Sequence, residues 1–266
     1  MVIFHFGFLI WIKLGNYSLV NNIVLSPNIA KPIGEDVYEI IDQDVLSHLK
    51  TFLKLKEGSF RHLKVIVPGE GQGSGQFEFN NLGDVRVKVK DLTKTKKRRV
   101  HLAIASTRPP MAKRILEHAT TLGAASFNFF TGDLSEKSYL DSKVYDENQA
   151  IKYVEKGMAQ CSQFSSFPIF SKDQNLESVI KKFQRQNCVQ YWLDKDAINF
   201  FDKNISNEDL CLYIGPERGW SQRELELFES FNILGVKLSD SVMRVEFAVN
   251  AAFAQIEYIS NRGLDV

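Results

Sequence analysis

Residues 212–228 read LYIGPERGWSQRELELF. An apolar run ends at Gly215 and Pro216, the chain turns again at Gly219, and the pattern predicts a helix from Ser221. Ser221 suits the cap of that helix, with Glu224 three residues on as its capping-box partner. Such a unit is one step of a strand–helix alternation. At the carboxyl end of a parallel strand, sharp turns leave backbone groups exposed, and α/β folds bind ligands there. An ordinary strand-to-helix turn would read the same way in isolation, so the flanking sequence has to decide.

Downstream, LSDSVMRVEFAVNAAFAQIEYIS (238–260) is a second loop leading into a helix that is apolar on nearly every side. Phe247, Val249, Ala251, Ala252, Phe253, Ile256 and Ile259 do not share one narrow stripe. The expectation is burial from several directions, in the core and against a partner subunit. Arg244 and Glu246 are the unusual residues at this apolar start, where charges are either paired or chemically employed.

Upstream, VHLAIAS (100–106) is a continuous apolar run, as in a strand buried on both faces of a parallel sheet. Pro109 and Pro110 suit the first turn of a helix running to about Leu122 and stopped by Gly123. AASFNFF, CVQYWL and DLCLYIG are further strand candidates. Helices are expected from Glu147 to about Phe164 and from about Asn175 to Gln186. Residues 100–266 are therefore predicted to form an α/β domain with a mainly parallel sheet.

Residues 21–92 follow another rhythm. NIVLSP, HLKVIVP, GQFEFN and VRVKVK read as short strands, with one helix at QDVLSHLKTFLKL. VRVKVK (85–90) alternates strictly, which places Val85, Val87 and Val89 on one face and Arg86, Lys88 and Lys90 on a cationic outer face. GEGQGSG (69–75) resembles a nucleotide loop, but a strand follows it instead of a helix, so a mobile hairpin connection is expected. The run TKTKKRR (93–99) reads as a basic linker between a small β-rich domain and the α/β domain.

The net charge of +1 conceals an asymmetry. Residues 1–100 hold 15 basic and 10 acidic side chains, and residues 101–266 hold 18 and 22. A basic front half suggests a polyanion-binding module. With 44% hydrophobic and 24% charged residues, the chain can bury a real core, which excludes wholesale disorder. Cys161, Cys188 and Cys211 lack the spacing of a disulfide framework, which points to a reducing compartment. The histidines are scattered and no ligand spacing appears, so no metal is expected. Neither a G-x-S-x-G elbow nor a Cys/His pairing is present to support nucleophilic hydrolysis. VIFHFGFLIWI (2–12) falls short of the roughly 20 residues a membrane span needs, and residues 1–20 read as an extension. A cytoplasmic protein is expected.

GPERGWSQRE followed by LSDSVMRVEFA resembles the paired signature GPEGGF-S-x-x-E and L-G-x-R-I-L-R-T-E-T-A of the RsmE family. LSEKS (134–138), GMAQCSQFSSFP (157–168) and DVLSHLKTFLKLKEGS (44–59) resemble further segments of that family. The resemblance covers about residues 22–260. It implies a SPOUT-class methyltransferase with a trefoil-knotted, mainly parallel sheet and an amino-terminal PUA-like small β-barrel. The implied cofactor is S-adenosylmethionine, held by backbone groups at Leu193, at Ile214, Gly215, Pro216, Glu217, Gly219 and Trp220, and at Leu238, Ser239, Val242 and Met243. The implied reaction is methylation of N3 of a uridine in small-subunit ribosomal RNA, by a homodimer. Arg244 is the candidate to stabilise charge on the base, with Glu246 orienting it or anchoring the helix. Lys54, Arg61, Lys96, Lys97, Arg98, Arg99 and Arg108 are the candidate RNA-binding residues.

The sequence departs from the family at Arg218, Ser239, Phe247, His118, Thr121, Lys137 and Gln163. The cofactor loops match the family better than the polar positions that would face RNA. The competing readings are a non-catalytic RNA-binding protein of this fold and a methyltransferase acting on another nucleotide. An oxidoreductase would need a GxGxxG placed between strand and helix, which is lacking.

Overall fold

The computed structural model describes residues 22–262 except 52, 81, 174, 202–204 and 206–207. The extension at residues 1–20 lies outside the described residues.

Two six-stranded sheets organise the chain. The first uses β1 (Ile23–Val24), β2 (Ala30–Gly34), β3 (Val37–Ile40), β4 (Phe60–Val67), β5 (Gly71–Phe79) and β6 (Val85–Thr93), in the order β1-β4-β5-β6-β3-β2. It is antiparallel apart from β1 on β4. Its core gathers Leu63, Val65, Phe77, Val85, Val87 and Val89 with Leu49 of α1 (Gln43–Thr51), in keeping with the expected small β-rich unit. β6 alternates buried and exposed from Val85 to Lys90, as its sequence predicts.

The glycine-rich run corrects an expectation. Only Gly69 and Glu70 lie in the hairpin turn between β4 and β5, and Gly71, Gly73 and Gly75 lie inside β5. A Cβ on Gly71 would lie 2.3 Å from the Thr93 carbonyl oxygen, and one on Gly75 would lie 2.6 Å from Val65 Cγ1. The glycines let neighbouring strands close in around a register shift between Gln72 and Ser74.

The second sheet contains β7 (Val100–Ala105), β8 (Ala124–Phe130), β9 (Ile169–Lys172), β10 (Val189–Leu193), β11 (Leu210–Ile214) and β12 (Leu234–Val236). Every pairing is parallel, in the order β12-β10-β11-β7-β8-β9. β11 inserts between β10 and β7, so the order reverses there. Helices α2 (Pro109–Leu122), α3 (Glu147–Gln160), α4 (Leu176–Arg185), α5 (Gln222–Ser230) and α6 (Val245–Arg262) complete this part. Two cores, around Leu102, Phe127 and Val249 and around Ala103, Phe183 and Phe228, sandwich the sheet, which accounts for its continuous apolar strands. Gly123 adopts φ 104° and ends α2 as predicted. Ser221 and Glu224 form the expected capping box on α5.

The segment between α3 and β9 joins the two sheets. Asn22 Nδ2 donates to the Cys161 carbonyl at 2.8 Å, and Gln72 Nε2 reaches the Cys161 and Phe164 carbonyls. The backbone N–H of Gly69 donates to Ser165 and that of Lys96 to Gln163. Among the described residues, no helix is long and apolar enough to cross a membrane.

Candidate active site

Three adjacent parallel strands end at one place. The loops after β10, β11 and β12 enclose a cavity of about 600 Å³. Leu193 reaches it from the first loop, Ile214 through Trp220 from the second, and Leu238, Ser239, Val242 and Met243 from the third. All the residues expected at a cofactor thus line a single cavity, and Arg218 and Arg244 line it too. Sequence reasoning missed Met111 of α2, the Asp194–Asp196 stretch, and Val245 and Ala248 of α6. Met111 had a readable signal, since it sits in the first turn of a helix that starts at the carboxyl end of β7.

The turn 215–219 is built for close approach. Gly219 adopts φ 77°, and its N–H donates to the Pro216 carbonyl. Trp220 stands behind the turn: its Nε1–H donates to the Leu193 carbonyl at 3.0 Å and its ring meets Phe228 edge-on at 4.9 Å. One indole thereby ties the first loop to the second. Glu217 turns to a neighbouring loop, where Oε1 accepts from Thr107 Oγ1 at 3.0 Å and from the Arg108 N–H at 3.4 Å. The Tyr145 hydroxyl closes that corner, donating to the Thr107 carbonyl at 2.6 Å. Burial raises the Tyr145 pKa far above the neutral range, so it serves as a fixed strut and not as a base.

Beyond the turn, Asp133 clasps the start of α5. It accepts from Ser221 Oγ at 2.6 Å and from Arg223 Nε at 2.8 Å, with a further bond from Arg223 Nη2. These hydrogen bonds, chiefly that of Arg223, hold its carboxyl below the usual range.

Arg244 sits at the cap of α6, where its carbonyl accepts from the Phe247 and Ala248 N–H groups. Its exposed side chain forms no ion pair among the described residues. Glu246 does not orient it. Glu246 is 3% exposed, its Oε1 accepts from Arg114 of α2 at 3.4 Å, and its Oε2 has no partner among the described residues. Of the two roles expected for Glu246, the structure supports anchoring the helix.

The basic linker divides. Arg98 needs correcting as an RNA-binding residue: its side chain is buried and donates to the carbonyls of Ser166, Thr120 and Ala124, and to Met158 Sδ. Its guanidinium lies over the Phe164 ring, and desolvation lowers its pKa to about 10, so it stays charged at neutral pH. Lys97 is exposed and pairs with Asp209 at 2.8 Å. Arg99 reaches the Glu208 carbonyl, while Lys96 and Arg108 are exposed. Arg61 is exposed on β4 of the first sheet, and Lys54 is exposed between α1 and β4. His118 and Thr121 lie on α2, with Thr121 Oγ1 hydrogen-bonded to Gly157, and Gln163 lies in the joining segment.

A family model described as RNA methyltransferase domain matches residues 94–257. The chain belongs to that family. Over 228 residues it is 27% identical to ribosomal RNA small subunit methyltransferase E 1 of Borreliella burgdorferi, covering 77% of this chain and 92% of that one. It is 26% identical over 163 residues to the Treponema pallidum ribosomal RNA small subunit methyltransferase E, covering 59% and 61%. Among solved structures it is similar to the Neisseria gonorrhoeae ribosomal RNA small subunit methyltransferase E bound to S-adenosyl methionine. That match has a TM-score of 0.66 at 12% identity over 90% of this chain and 97% of that one. A Legionella pneumophila methyltransferase in complex with the cofactor SAM gives 0.71 at 17% identity, covering 89% and 96%. These structural likenesses show the fold: a parallel α/β sheet behind a mainly antiparallel amino-terminal sheet.

Proposed function

We propose that this RNA methyltransferase uses S-adenosylmethionine to methylate small-subunit ribosomal RNA, at N3 of a uridine. The observation that carries the reading is the convergence of three strand-end loops on one cavity that Arg244 also lines. The donor set suits the cofactor. Leu193, Ile214, Leu238 and Met111 offer apolar walls to an adenosyl group, and open strand ends offer backbone donors and acceptors. Lys195, Asp194 and Asp196 supply both signs of charge for an amino-acid moiety.

When bound, S-adenosylmethionine supplies a methyl group already activated on a sulfonium. The protein's part is to hold the acceptor nitrogen in line with that methyl and exclude water. Arg244, on the cavity wall, would favour negative charge on the uracil oxygens once the N3 proton has passed to solvent. Glu246 keeps α6 against α2, which fixes the backbone from which Arg244 projects.

The functional unit in this reading is a cytoplasmic homodimer joined through α6. Phe247 and Val242, 56% and 77% exposed, support a covering copy. Residues 21–92 and the linker bind the RNA, and residues 100–266 carry the chemistry. The test is transfer of labelled methyl from S-adenosylmethionine to small ribosomal subunits and to their protein-free RNA, followed by nucleoside mass analysis. 3-Methyluridine is expected. Tight cofactor binding without transfer to either RNA form would overturn the reading.

A further inference from the structure

We propose that the outer face of β4, β5 and β6 is a track for the phosphate backbone of an RNA strand, starting at the junction between the two sheets. The proposal rests on the reading of the chain as a ribosomal RNA methyltransferase and names the surface that holds that RNA.

Strand register defines the track. Lys64, Ser74 and Lys90 form one row across the sheet, His62, Gln76 and Lys88 the next, and Phe60, Glu78 and Arg86 a third. Side chains alternate between faces along a strand, so these rows share a face, and successive rows stand roughly 7 Å apart. The intervening residues Leu63, Phe77, Val87 and Val89 are buried on the other side. The preceding row, Ile66 and Gln72, is closed. Ile66 is fully buried with the core of the second sheet, and Gln72 is bonded to Cys161 and Phe164. The open rows therefore begin one step from the methyltransferase sheet.

Charge identifies the occupant. Lys64, Arg86, Lys88 and Lys90 are exposed, and none forms an ion pair among the described residues. Acids stand only beside Arg86, Glu78 on β5 and Glu39 on β3, and the two rows nearer the second sheet pair with none. A face serving solubility alone mixes its signs, whereas this one concentrates cations with neutral Ser74 and Gln76 between them. Phe60, 60% exposed and edge-on to His62 at 5.7 Å, ends the track with an aromatic surface of the kind bases stack on. Cations in register followed by an open ring match a nucleic-acid strand better than an acidic peptide.

The test replaces Lys64, Arg86, Lys88 and Lys90 with Ala in the full-length protein, with thermal melting as the check on folding. Should that variant fold poorly, Lys88→Ala with Lys90→Ala gives the same reading at half amplitude. Binding to a protein-free small-subunit RNA transcript is titrated over a range of salt. Affinity is expected to fall about tenfold or more. The log–log salt slope should shrink by about 0.7 for each single-strand phosphate that the protein no longer neutralises. The KM for RNA should rise by more than kcat falls. Lys152→Ala with Lys181→Ala, exposed cations on α3 and α4, controls for charge loss in general. Unchanged affinity and slope would overturn the proposal. So would normal binding to the transcript with lost binding to intact small subunits, which would assign the face to an acidic protein. A wild-type enzyme that methylates while the variant matches its KM removes the track alone. A wild-type enzyme that transfers no methyl, with RNA binding still dependent on these cations, removes the methyltransferase reading and leaves the track.

Discussion

The loops after β10, β11 and β12 and the segment 161–166 are both irregular backbone at the meeting point of several elements, yet they use their polar groups in opposite ways. In the segment, the carbonyls of Cys161, Gln163, Phe164, Ser165 and Ser166 accept from Asn22, Lys96, Gln72, Gly69 and Arg98. Its hydrogen bonding is directed at the rest of the chain, and it acts as a joint. In the three loops, Trp220 and the Gly219 turn hold the backbone from behind while the front lines a cavity. Irregular backbone with internal partners fixes geometry; irregular backbone braced from one side leaves room for a ligand. The same division separates the cations, with Arg98 serving the joint and Arg244 facing the cavity.

Arg244→Ala tests the open side and carries the largest expected effect. Removing one such electrostatic interaction lowers the methyl-transfer rate about a hundred- to a thousand-fold. Affinity for S-adenosylhomocysteine should change only a few-fold, because the proposed hold on the cofactor is by backbone groups. Light scattering and thermal melting accompany the rate measurement. A stable, cofactor-binding variant with full activity would remove Arg244 from the chemistry, and a monomeric, unstable one would make it a structural residue.

Arg98→Met tests the closed side. The buried Thr120 and Ala124 carbonyls and the half-buried Ser166 carbonyl lose a charged donor, Thr120 keeping the Gly123 N–H, so a loss of about 2 kcal/mol or more is expected in urea unfolding. Lys97→Ala removes an exposed pair and should cost about 1 kcal/mol at most. If Arg98→Met is as stable as wild type but binds RNA poorly, the linker works as one electrostatic unit and the division between joint and cavity fails.

That division is only partly legible in the sequence. Alternation gives β6 its buried and cationic faces because local pattern alone decides a half-exposed strand. Ser221 and Glu224 mark the start of α5 because a capping box is contained within four residues. The meeting of three distant loops comes from the family resemblance, since no spacing rule relates Leu193 to Met243. Arg98 is indistinguishable from its neighbours in KKRR, because only tertiary packing chooses which of four adjacent cations turns inward. The glycines of β5 mislead for a similar reason: the approach of Thr93 and Val65 that requires them is long-range. β2, β3 and β9 are short and partly polar, and β12 is only three residues long, so their neighbours in the sheet define them.

Gly215→Val probes how the open side is braced. The new Cβ would lie 3.1 Å from Trp220 Cε2, and that ring is pinned by Leu193 and Phe228. The ring must shift, carrying the first loop with it. Overpacking of this kind costs about 1–3 kcal/mol, which corresponds to about a ten- to hundredfold loss of S-adenosylhomocysteine affinity if it falls on the cavity. Glu217→Gln should do less, because the amide oxygen still accepts from Thr107. Near-wild-type titration for Gly215→Val would place the cofactor away from this turn.

The smallest expected effect concerns acid. The joint relies on carbonyl acceptors and a guanidinium that stays protonated, so lowering the pH leaves it intact. The exit of the 215–219 turn relies instead on the Asp133 carboxylate, held by Arg223 and Ser221. Because its folded pKa lies below the ordinary value of 3.8, the unfolded chain binds this proton more readily. The clasp's contribution is therefore fully present above pH ~4 and is lost as the pH falls through the depressed value. Arg223 is largely exposed, so solvent screening keeps that contribution to about 1 kcal/mol or less. Asp133→Asn should remove it already at neutral pH and flatten the acid limb of stability, followed by urea midpoints between pH 3 and 7. If the variant keeps the wild-type acid limb, the turn is braced by Trp220 alone, and both loop clusters are insensitive to charge at their base.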